Sequence, residues 1–460
     1  MAGIILLLGP AFASAATFEW VGYDWSVEGT LEQYTPTEDW NDPLAWYSPD
    51  GGSGVPGPSD TAIIGNFDID GYGVVDNIVQ LTSDVAVGNL ILTNTDTVNG
   101  VVNLQTHTIN LYGKLIGPFN IYYGTVNGVS TNAALSGGIV VGYQGQISGT
   151  LNVATNDTVD LQIAEAGSSS LTLNNYGTLA ILPYAGVTDV NFPFLTLNNY
   201  GALSLQSIVN MNLFGLTLTN YGTVDWISST ISGGGYSGAF IYNYGLWDCQ
   251  GDLIFNGNGG TYFYNKGTFR KSSGINTTAL NSVAFYNSGA VEIDSGTLSV
   301  PNSITVAAGG LTIGISGTNS GQYGQLVSGG VATLNGPLNV FLANGYKSFA
   351  PDQFTILSAA SDSGSFSSVS LPSGLSVNYA GAYAWLQSTN MQVIPQLSGT
   401  NLQFSFYTFT GQSYTIQTTT NLAGGIWNFY QNTTGNNDFQ TFTLPITNTV
   451  PELFLRVSQP

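Results

Sequence analysis

From about residue 76 onward, hydrophobic and polar residues alternate in short runs punctuated every few residues by Gly and Asn. Val101-Val-Asn-Leu-Gln-Thr-His-Thr-Ile-Asn-Leu111 and Gly149-Thr-Leu-Asn-Val153 are typical. A period of two with turn residues between runs predicts strands, and the helical period is absent. The alternation then resolves into a repeat. Leu173-Asn-Asn-Tyr-Gly177, Leu197-Asn-Asn-Tyr-Gly201 and Leu218-Thr-Asn-Tyr-Gly222 are followed by Ile241-Tyr-Asn-Tyr-Gly245, Phe263-Tyr-Asn-Lys-Gly267 and Phe285-Tyr-Asn-Ser-Gly289. The shared Asn falls at 175, 199, 220, 243, 265 and 287, in steps of 24, 21, 23, 22 and 22 residues.

Such near-constant spacing predicts an all-β fold: a right-handed parallel β-helix of about 22 residues per coil, with coils roughly 4.8 Å apart. An array of antiparallel sandwiches would not require one Asn corner per period. The apolar residue ahead of each Asn, and the row Leu179, Leu203, Val224, Trp247, Phe269 and Val291 two places after each Gly, are predicted to face inward. Asn175, Asn199, Asn220, Asn243, Asn265 and Asn287 are predicted to form an internal hydrogen-bonded ladder that satisfies the corner backbone. The repeat Gly is expected to supply positive φ at that corner.

The flanks differ in texture. Residues 16–75 concentrate Trp20, Trp25, Trp40 and Trp46, five prolines and many carboxylates including Asp24, Glu28, Glu32 and Glu38, which suits an N-terminal cap over an open solenoid end. The β-helix and its closing segment are assigned to 76–394. Residues 395–460, with Ser413-Tyr-Thr-Ile-Gln-Thr-Thr-Thr-Asn-Leu422, Trp427 and Leu453-Phe-Leu-Arg-Val457, predict a small C-terminal β-sandwich beginning at Pro395. Ahead of the cap, an apolar run ends in Ala13-Ser14-Ala15, a small-x-small signature. It predicts a signal peptide over 1–15 and a secreted or cell-surface bacterial protein, although the basic start of such peptides is missing and the first Lys is Lys114.

Composition narrows the partners. Charged residues are 7% and hydrophobic residues 43%, with 59 Gly, so the chain can bury a core under a polar, uncharged surface. Six Lys and Arg against 27 Asp and Glu leave a net charge of −21, which disfavours nucleic acid and anionic lipid. Polysaccharide, cations or other surface proteins fit better. No run is long enough for a transmembrane helix. Cys249 is the single cysteine and falls on the inward row of Ile181, Leu205, Trp226 and Ile293, the place of a small buried hydrophobe.

The repeat, the passage from Tyr286 through Leu298, Gly321 through Leu338 and Phe354-Thr-Ile-Leu357, together with Trp40-Asn-Asp-Pro43 and Val55-Pro-Gly-Pro-Ser-Asp60, resembles the β-helical passenger regions of bacterial autotransporter-like surface proteins. The resemblance covers about three quarters of the chain and implies a secreted solenoid with a closing segment. A true autotransporter ends in a large membrane barrel, for which this chain has no room. The last unit instead resembles short C-terminal modules of secreted verrucomicrobial–planctomycete proteins, implying sorting, anchoring or binding.

Candidate chemistry lies three residues after each repeat Gly, in the row Ala180, Ser204, Asp225, Asp248, Arg270 and Glu292. Asp225, Asp248, Arg270 and Glu292 are expected side by side facing outward. Two carboxylates about 5 Å apart match the separation in retaining glycosidases, and carboxylates also suit Ca²⁺. A charge ladder bridged by Arg270 produces the same spacing on any solenoid. Lys266, Arg270 and Lys271 form the basic cluster that a lyase would need, but no lyase motif accompanies them. His107 is far upstream in a Thr-rich strand. Tyr176, Tyr200, Tyr221 and Tyr244 are expected to stack at the corner, either contacting glycan rings or stiffening the turn. Thr172, Thr196 and Thr217 make a shorter outward rank with Asn174, Asn198 and Thr219, of the kind seen in ice-binding solenoids. Asp157 and Asp160 are read as turn residues. The favoured function is an extracellular structural or adhesin-like β-helix. The alternative is a β-helical polysaccharide lyase or hydrolase using the charged row.

Overall fold

The structure, a computed structural model, describes residues 15–20, 39–51, 54–65, 78–93, 101–121, 124–141, 145–163, 171–183, 189–191, 195–206, 210–228, 230–233, 238–446 and 452–459. The signal-peptide reading of 1–15 therefore lies almost wholly outside the described residues, as do Trp25 and the carboxylates Asp24, Glu28, Glu32 and Glu38. Every element among the described residues is a strand, and none of their segments is a helix long and apolar enough to cross a membrane.

The chain winds as a three-sided parallel β-helix. On the first side, Leu171–Asn175, Leu195–Asn199, Thr217–Asn220, Ala239–Asn243 and the second halves of Ile254–Asn265 and Thr277–Asn287 pair in parallel register. Asn175, Asn199, Asn220, Asn243, Asn265 and Asn287 follow one another in that register. The second side continues past the corner through Thr178–Pro183, Ala202–Gln206, Thr223–Ser228, Leu246–Gln250, Thr268–Ser273 and Ala290–Ile293. The third side contains Asp189–Asn191, Asn210–Leu213 and Thr230–Gly233. In the coils, alternation buries one face of a strand, as in the pattern iBiBi of Thr61–Gly65. Leu179, Leu203, Val224, Trp247, Phe269 and Val291 are all fully buried, as are Trp226 and Cys249.

The corner is built by the asparagines. Each Nδ2 donates to the Oδ1 of the next coil: Asn175 to Asn199 at 2.6 Å, Asn199 to Asn220 and Asn220 to Asn243 at 2.7 Å, Asn243 to Asn265 at 2.8 Å and Asn265 to Asn287 at 2.7 Å. The same groups donate to the carbonyls of Ala202, Thr223, Leu246, Thr268 and Ala290 at 2.8–3.0 Å. Asn175, Asn199, Asn220, Asn243 and Asn265 are fully buried, and an amide with two donors and an acceptor is the side chain that can both pass the ladder on and hold the backbone.

The expectation for the repeat glycines is corrected. Gly177, Gly201, Gly222, Gly245, Gly267 and Gly289 are absent from the positive-φ glycines. They are needed for space. A Cβ on Gly201, Gly222, Gly245, Gly267 or Gly289 would stand 2.1 Å from the carbonyl oxygen of the preceding repeat Gly. The coils approach too closely at this corner to admit any side chain.

At the N-terminal end, parallel pairing already begins at Thr17–Trp20 with Thr61–Gly65, which pairs in turn with Asn89–Thr93. Thr17–Trp20 also takes Trp46–Tyr47 antiparallel. Trp20, Trp40 and Trp46 are buried edge to face, at 5.0 Å for Trp20–Trp46 and 4.9 Å for Trp40–Trp46, and Trp46 Nε1 donates to the Trp40 carbonyl at 2.8 Å. Cap and first coils are therefore one body, and position 75 lies among residues not described. At the other end, Gln353–Ser358 stops the parallel stack by pairing antiparallel with Tyr383–Ser388, which pairs with Leu375–Ala380. A hairpin across the last coil covers an open edge.

The C-terminal unit has two three-stranded antiparallel sheets. One contains Ile394–Ser398, Asn401–Thr408 and Asp438–Pro445; the other contains Asn428–Thr434, Ser413–Thr419 and Phe454–Ser458. Phe404, Phe406, Tyr414, Ile416, Phe442 and Leu444 form its own core. Pro395 lies inside the first strand rather than ahead of it. Trp427 sits half-buried under Arg456, 4.4 Å from guanidinium to ring centre.

Candidate functional site

The second side carries the charged row in the predicted register: Ser204 pairs Asp225, Asp225 pairs Asp248, Asp248 pairs Arg270 and Arg270 pairs Glu292. Its chemistry differs from the expectation at its centre. Asp248, at an outward position, is only 2% exposed. Arg270 lies across it as a fork, Nε to Oδ1 at 3.1 Å and Nη2 to Oδ2 at 2.7 Å. Gln250, two residues on and on the same face, donates to Asp225 Oδ1 at 2.9 Å and Asp248 Oδ2 at 3.3 Å. Planar bidentate pairing of this kind fixes both side chains. Asp248 thus accepts three hydrogen bonds from protein groups while almost wholly screened from solvent. Burial and the Asp248 charge raise the Asp225 pKa, against the Gln250 hydrogen bond and Arg270.

Asp294, which sequence reading passed over, completes the group. It lies just past the end of Ala290–Ile293 and interacts with Glu292, Arg270 and Asp248. One of its carboxylate oxygens is buried without a donor. Burial, then the Glu292 charge, raise its pKa to about 6, with Arg270 opposing; Glu292 also accepts from its protonated form. The closeness of Glu292 and Asp294 along the chain was the signal, but the burial of Asp294 is decided by the fold.

The expected basic cluster is dispersed over three surfaces. Arg270 faces outward on Asp248, and Lys266 projects at the corner, its Nζ 5.0 Å from the Tyr244 ring centre. Lys271 is directed inward and is 0% exposed. Its Nζ donates to the Gly251 and Ser273 carbonyls, both at 2.8 Å, and to Asp252 Oδ1 at 3.0 Å. Strand alternation forces this split, because adjacent residues take opposite faces. Burial would raise the Asp252 pKa, but hydrogen bonds from Lys271 and Asn276 outweigh it and hold the carboxyl low. Cys249, one coil below Lys271, is fully buried, and burial pushes its thiol pKa up, as expected of an inert core thiol.

His107 is at a turn before Thr108–Leu111 rather than in a strand, 3.5 Å from Asp84, and belongs to a coil well before the charged row. Asp157 is a turn residue, as expected, and pairs with Lys114 at 3.1 Å. Asp160 is corrected from turn to mid-strand, where it pairs in register with Gly138 and Ala180. Among the described residues, no three His, Cys, Asp or Glu side chains gather as a metal-ligand set.

The tyrosines stack as read. Tyr176–Tyr200, Tyr200–Tyr221 and Tyr221–Tyr244 have ring centres 4.9, 5.1 and 5.1 Å apart and planes within 10°. Two further columns on the first side were missed: Tyr242–Tyr264–Tyr286 at 5.1 and 5.2 Å, and Phe240–Tyr262 at 5.3 Å. The residue preceding each repeat Asn would have revealed the first of these. Through Thr219, the Tyr242 column continues a ladder of Asn152, Asn174 and Asn198 joined by Nδ2-to-Oδ1 bonds of 3.0 and 2.9 Å. Parallel stacking uses the ring faces on one another, so edges and hydroxyls face solvent.

Comparison with family models, with curated proteins and with solved structures returns no match.

Two predictions arise here. Arg270→Ala would leave Asp248 buried without its partner and is expected to cost about 2 kcal/mol, discounted for the partly exposed guanidinium. Urea unfolding checks this, and a change within error would mean water replaces the fork. For Asp294 the folded pKa of about 6 lies above its unfolded value. The folded state then binds the extra proton, so this group makes the protein more stable as pH falls from 7 through 6 toward the unfolded carboxyl range near 4. Asp294→Asn is expected to flatten that rise in the urea midpoint between pH 7 and 5; an unchanged slope would assign the rise to other carboxyls.

Proposed function

We propose that this chain is an extracellular or cell-surface structural β-helix, adhesin-like rather than catalytic, with polysaccharide or other surface proteins as its surroundings. One observation carries the reading: the best catalytic candidate, Asp248, is buried and held at both oxygens by Arg270, with Gln250 bridging it to Asp225. A nucleophile or general base needs a lone pair within reach of substrate. The polar, weakly charged surface and the continuous Asn ladder also suit a stiff spacer. If the tyrosines contact glycans, they do so through hydroxyls and ring edges.

The alternative, a polysaccharide lyase or hydrolase on Asp225, Asp248, Arg270 and Glu292, draws its remaining support from Glu292 and Asp294, where a carboxyl with a pKa of about 6 adjoins a carboxylate. The deciding experiment is release of new sugar ends from a panel of neutral and acidic polysaccharides, with and without Ca²⁺. No release is expected. Release that disappears in Glu292→Gln, with the fold intact, would overturn the structural reading and return the row to chemistry.

A further inference from the structure

The first side differs from the charged second side in both its rings and its lack of carboxylates. Its outward positions run Thr172, Asn174, Tyr176; Thr196, Asn198, Tyr200; Thr217, Thr219, Tyr221; Phe240, Tyr242, Tyr244; Tyr262, Tyr264, Lys266; and Ala284, Tyr286, Ser288. None of these positions is Asp or Glu, in a chain with net charge −21. Asp225, Asp248 and Glu292 are kept beyond the corner on the second side, with Asp294 just past the last of these strands. Tyr176, Tyr200, Tyr221, Tyr244, Tyr286 and Phe240 remain 37–54% exposed. Taking about 200 Å² for a whole aromatic side chain, this is on the order of 600 Å² of exposed aromatic surface. That stands at the top of the range of about 300–600 Å² for the largest patch on a typical monomer. With the flanking Thr and Asn columns it approaches the ~800 Å² that each partner buries in a standard interface.

We propose that this side is a self-association surface, on which a second copy of the chain docks face to face about a two-fold axis.

Three features select that occupant. The first is shape. Each column is a ridge along the solenoid axis, and neighbouring columns, two residues apart, leave a groove about 7 Å wide. A second copy brings ridges with the same coil-to-coil repeat, so every ring finds an equivalent place in the facing groove, as in paired sheets of stacked side chains. The second is charge. The outward positions of this side hold no carboxylate and one charge, Lys266 at the corner, so two copies can meet here without opposing the carboxylates that Asp225, Asp248 and Glu292 would bring if the second side met itself. The third is ring orientation. Stacked rings offer edges and hydroxyls, which pack well into a groove, while a sugar would seek the ring faces that neighbouring tyrosines already cover. A two-fold contact uses the same patch on both copies and closes as a dimer.

Sedimentation velocity of the full chain over a wide concentration range tests this. The wild type is expected to shift from monomer to dimer, and to do so more readily at high salt, where the repulsion between two copies of net charge −21 is screened. Thr219→Glu places a charge in the centre of the face, next to Tyr242 in register but replacing no aromatic residue, and is expected to weaken association at least tenfold with unchanged unfolding. Tyr264→Phe keeps the ridge and is expected to retain the dimer. A wild type that stays monomeric at every concentration, or a dimer indifferent to Thr219→Glu, would overturn the proposal. A monomer that binds immobilised neutral polysaccharide and loses that binding in Thr219→Glu would also overturn it, assigning the face to a glycan.

Discussion

Asn220→Ala is expected to destabilise the protein by about 4 kcal/mol, because it strands at least two buried polar groups at about 1–3 kcal/mol each. Asn220 Nδ2 serves Asn243 Oδ1 at 2.7 Å, the Leu246 carbonyl at 3.0 Å and the Gly222 carbonyl at 3.2 Å. Its Oδ1 accepts from Asn199 at 2.7 Å. Alanine removes all four bonds at a position fully shielded from solvent. The effect depends on position. Asn287 ends the ladder, is only half-buried, and donates to the Thr305 carbonyl at 2.8 Å, so Asn287→Ala is expected to cost about 1 kcal/mol. Urea unfolding followed by the buried Trp226 and Trp247 reads both variants near the lesion. In a solenoid each coil depends mainly on its neighbours, so the central substitution should also broaden the transition into two steps. Equal costs for the two variants would show that the ladder contributes no more than its individual exposed bonds.

A larger loss is expected for Gly245→Ala, more than about 4 kcal/mol and enough to open the coil. Its Cβ would lie 2.1 Å from the Gly222 carbonyl oxygen, and backbone rather than a movable side chain is in the way. The comparison that separates space from φ is Gly245→Asn. Asn tolerates left-handed backbone better than Ala, so a φ requirement would make it the milder change. Crowding makes it at least as severe. Gly259→Ala supplies the opposite case. Gly259 has φ of +82°, and a methyl group there would meet nothing within 4 Å. Its cost should be that of backbone strain alone, about 1–2 kcal/mol. Thermal and urea unfolding of the three variants measures the order. A smaller loss for Gly245→Asn than for Gly245→Ala would restore the φ explanation.

The legibility of the molecule follows its periodicity. The corner asparagines, the inward rows of Leu179 to Val291 and of Ile181 to Ile293, and the stack of Tyr176 to Tyr244 could all be placed from residue spacing alone. A coil of near-constant length sets each residue above its counterpart one repeat earlier. The column Tyr242, Tyr264 and Tyr286 was equally available by that rule. Spacing also put Asp225, Asp248, Arg270 and Glu292 in one row.

What sequence alone determined here is therefore the address of each side chain: which coil, which column, and inward or outward. Tertiary structure decided what each side chain does at that address. Asp248 faces outward by parity yet is buried, because Arg270 of the next coil lies across it and Gln250 bridges it to Asp225. Lys271 takes an inward place, where its ammonium is held by two carbonyls and Asp252. The repeat glycines look like turn residues, but the spacing between coils requires them. Register depends on a count along the chain, which sequence contains. Burial and close approach depend on what neighbouring coils lay over a residue, and only the stacked structure brings those atoms together.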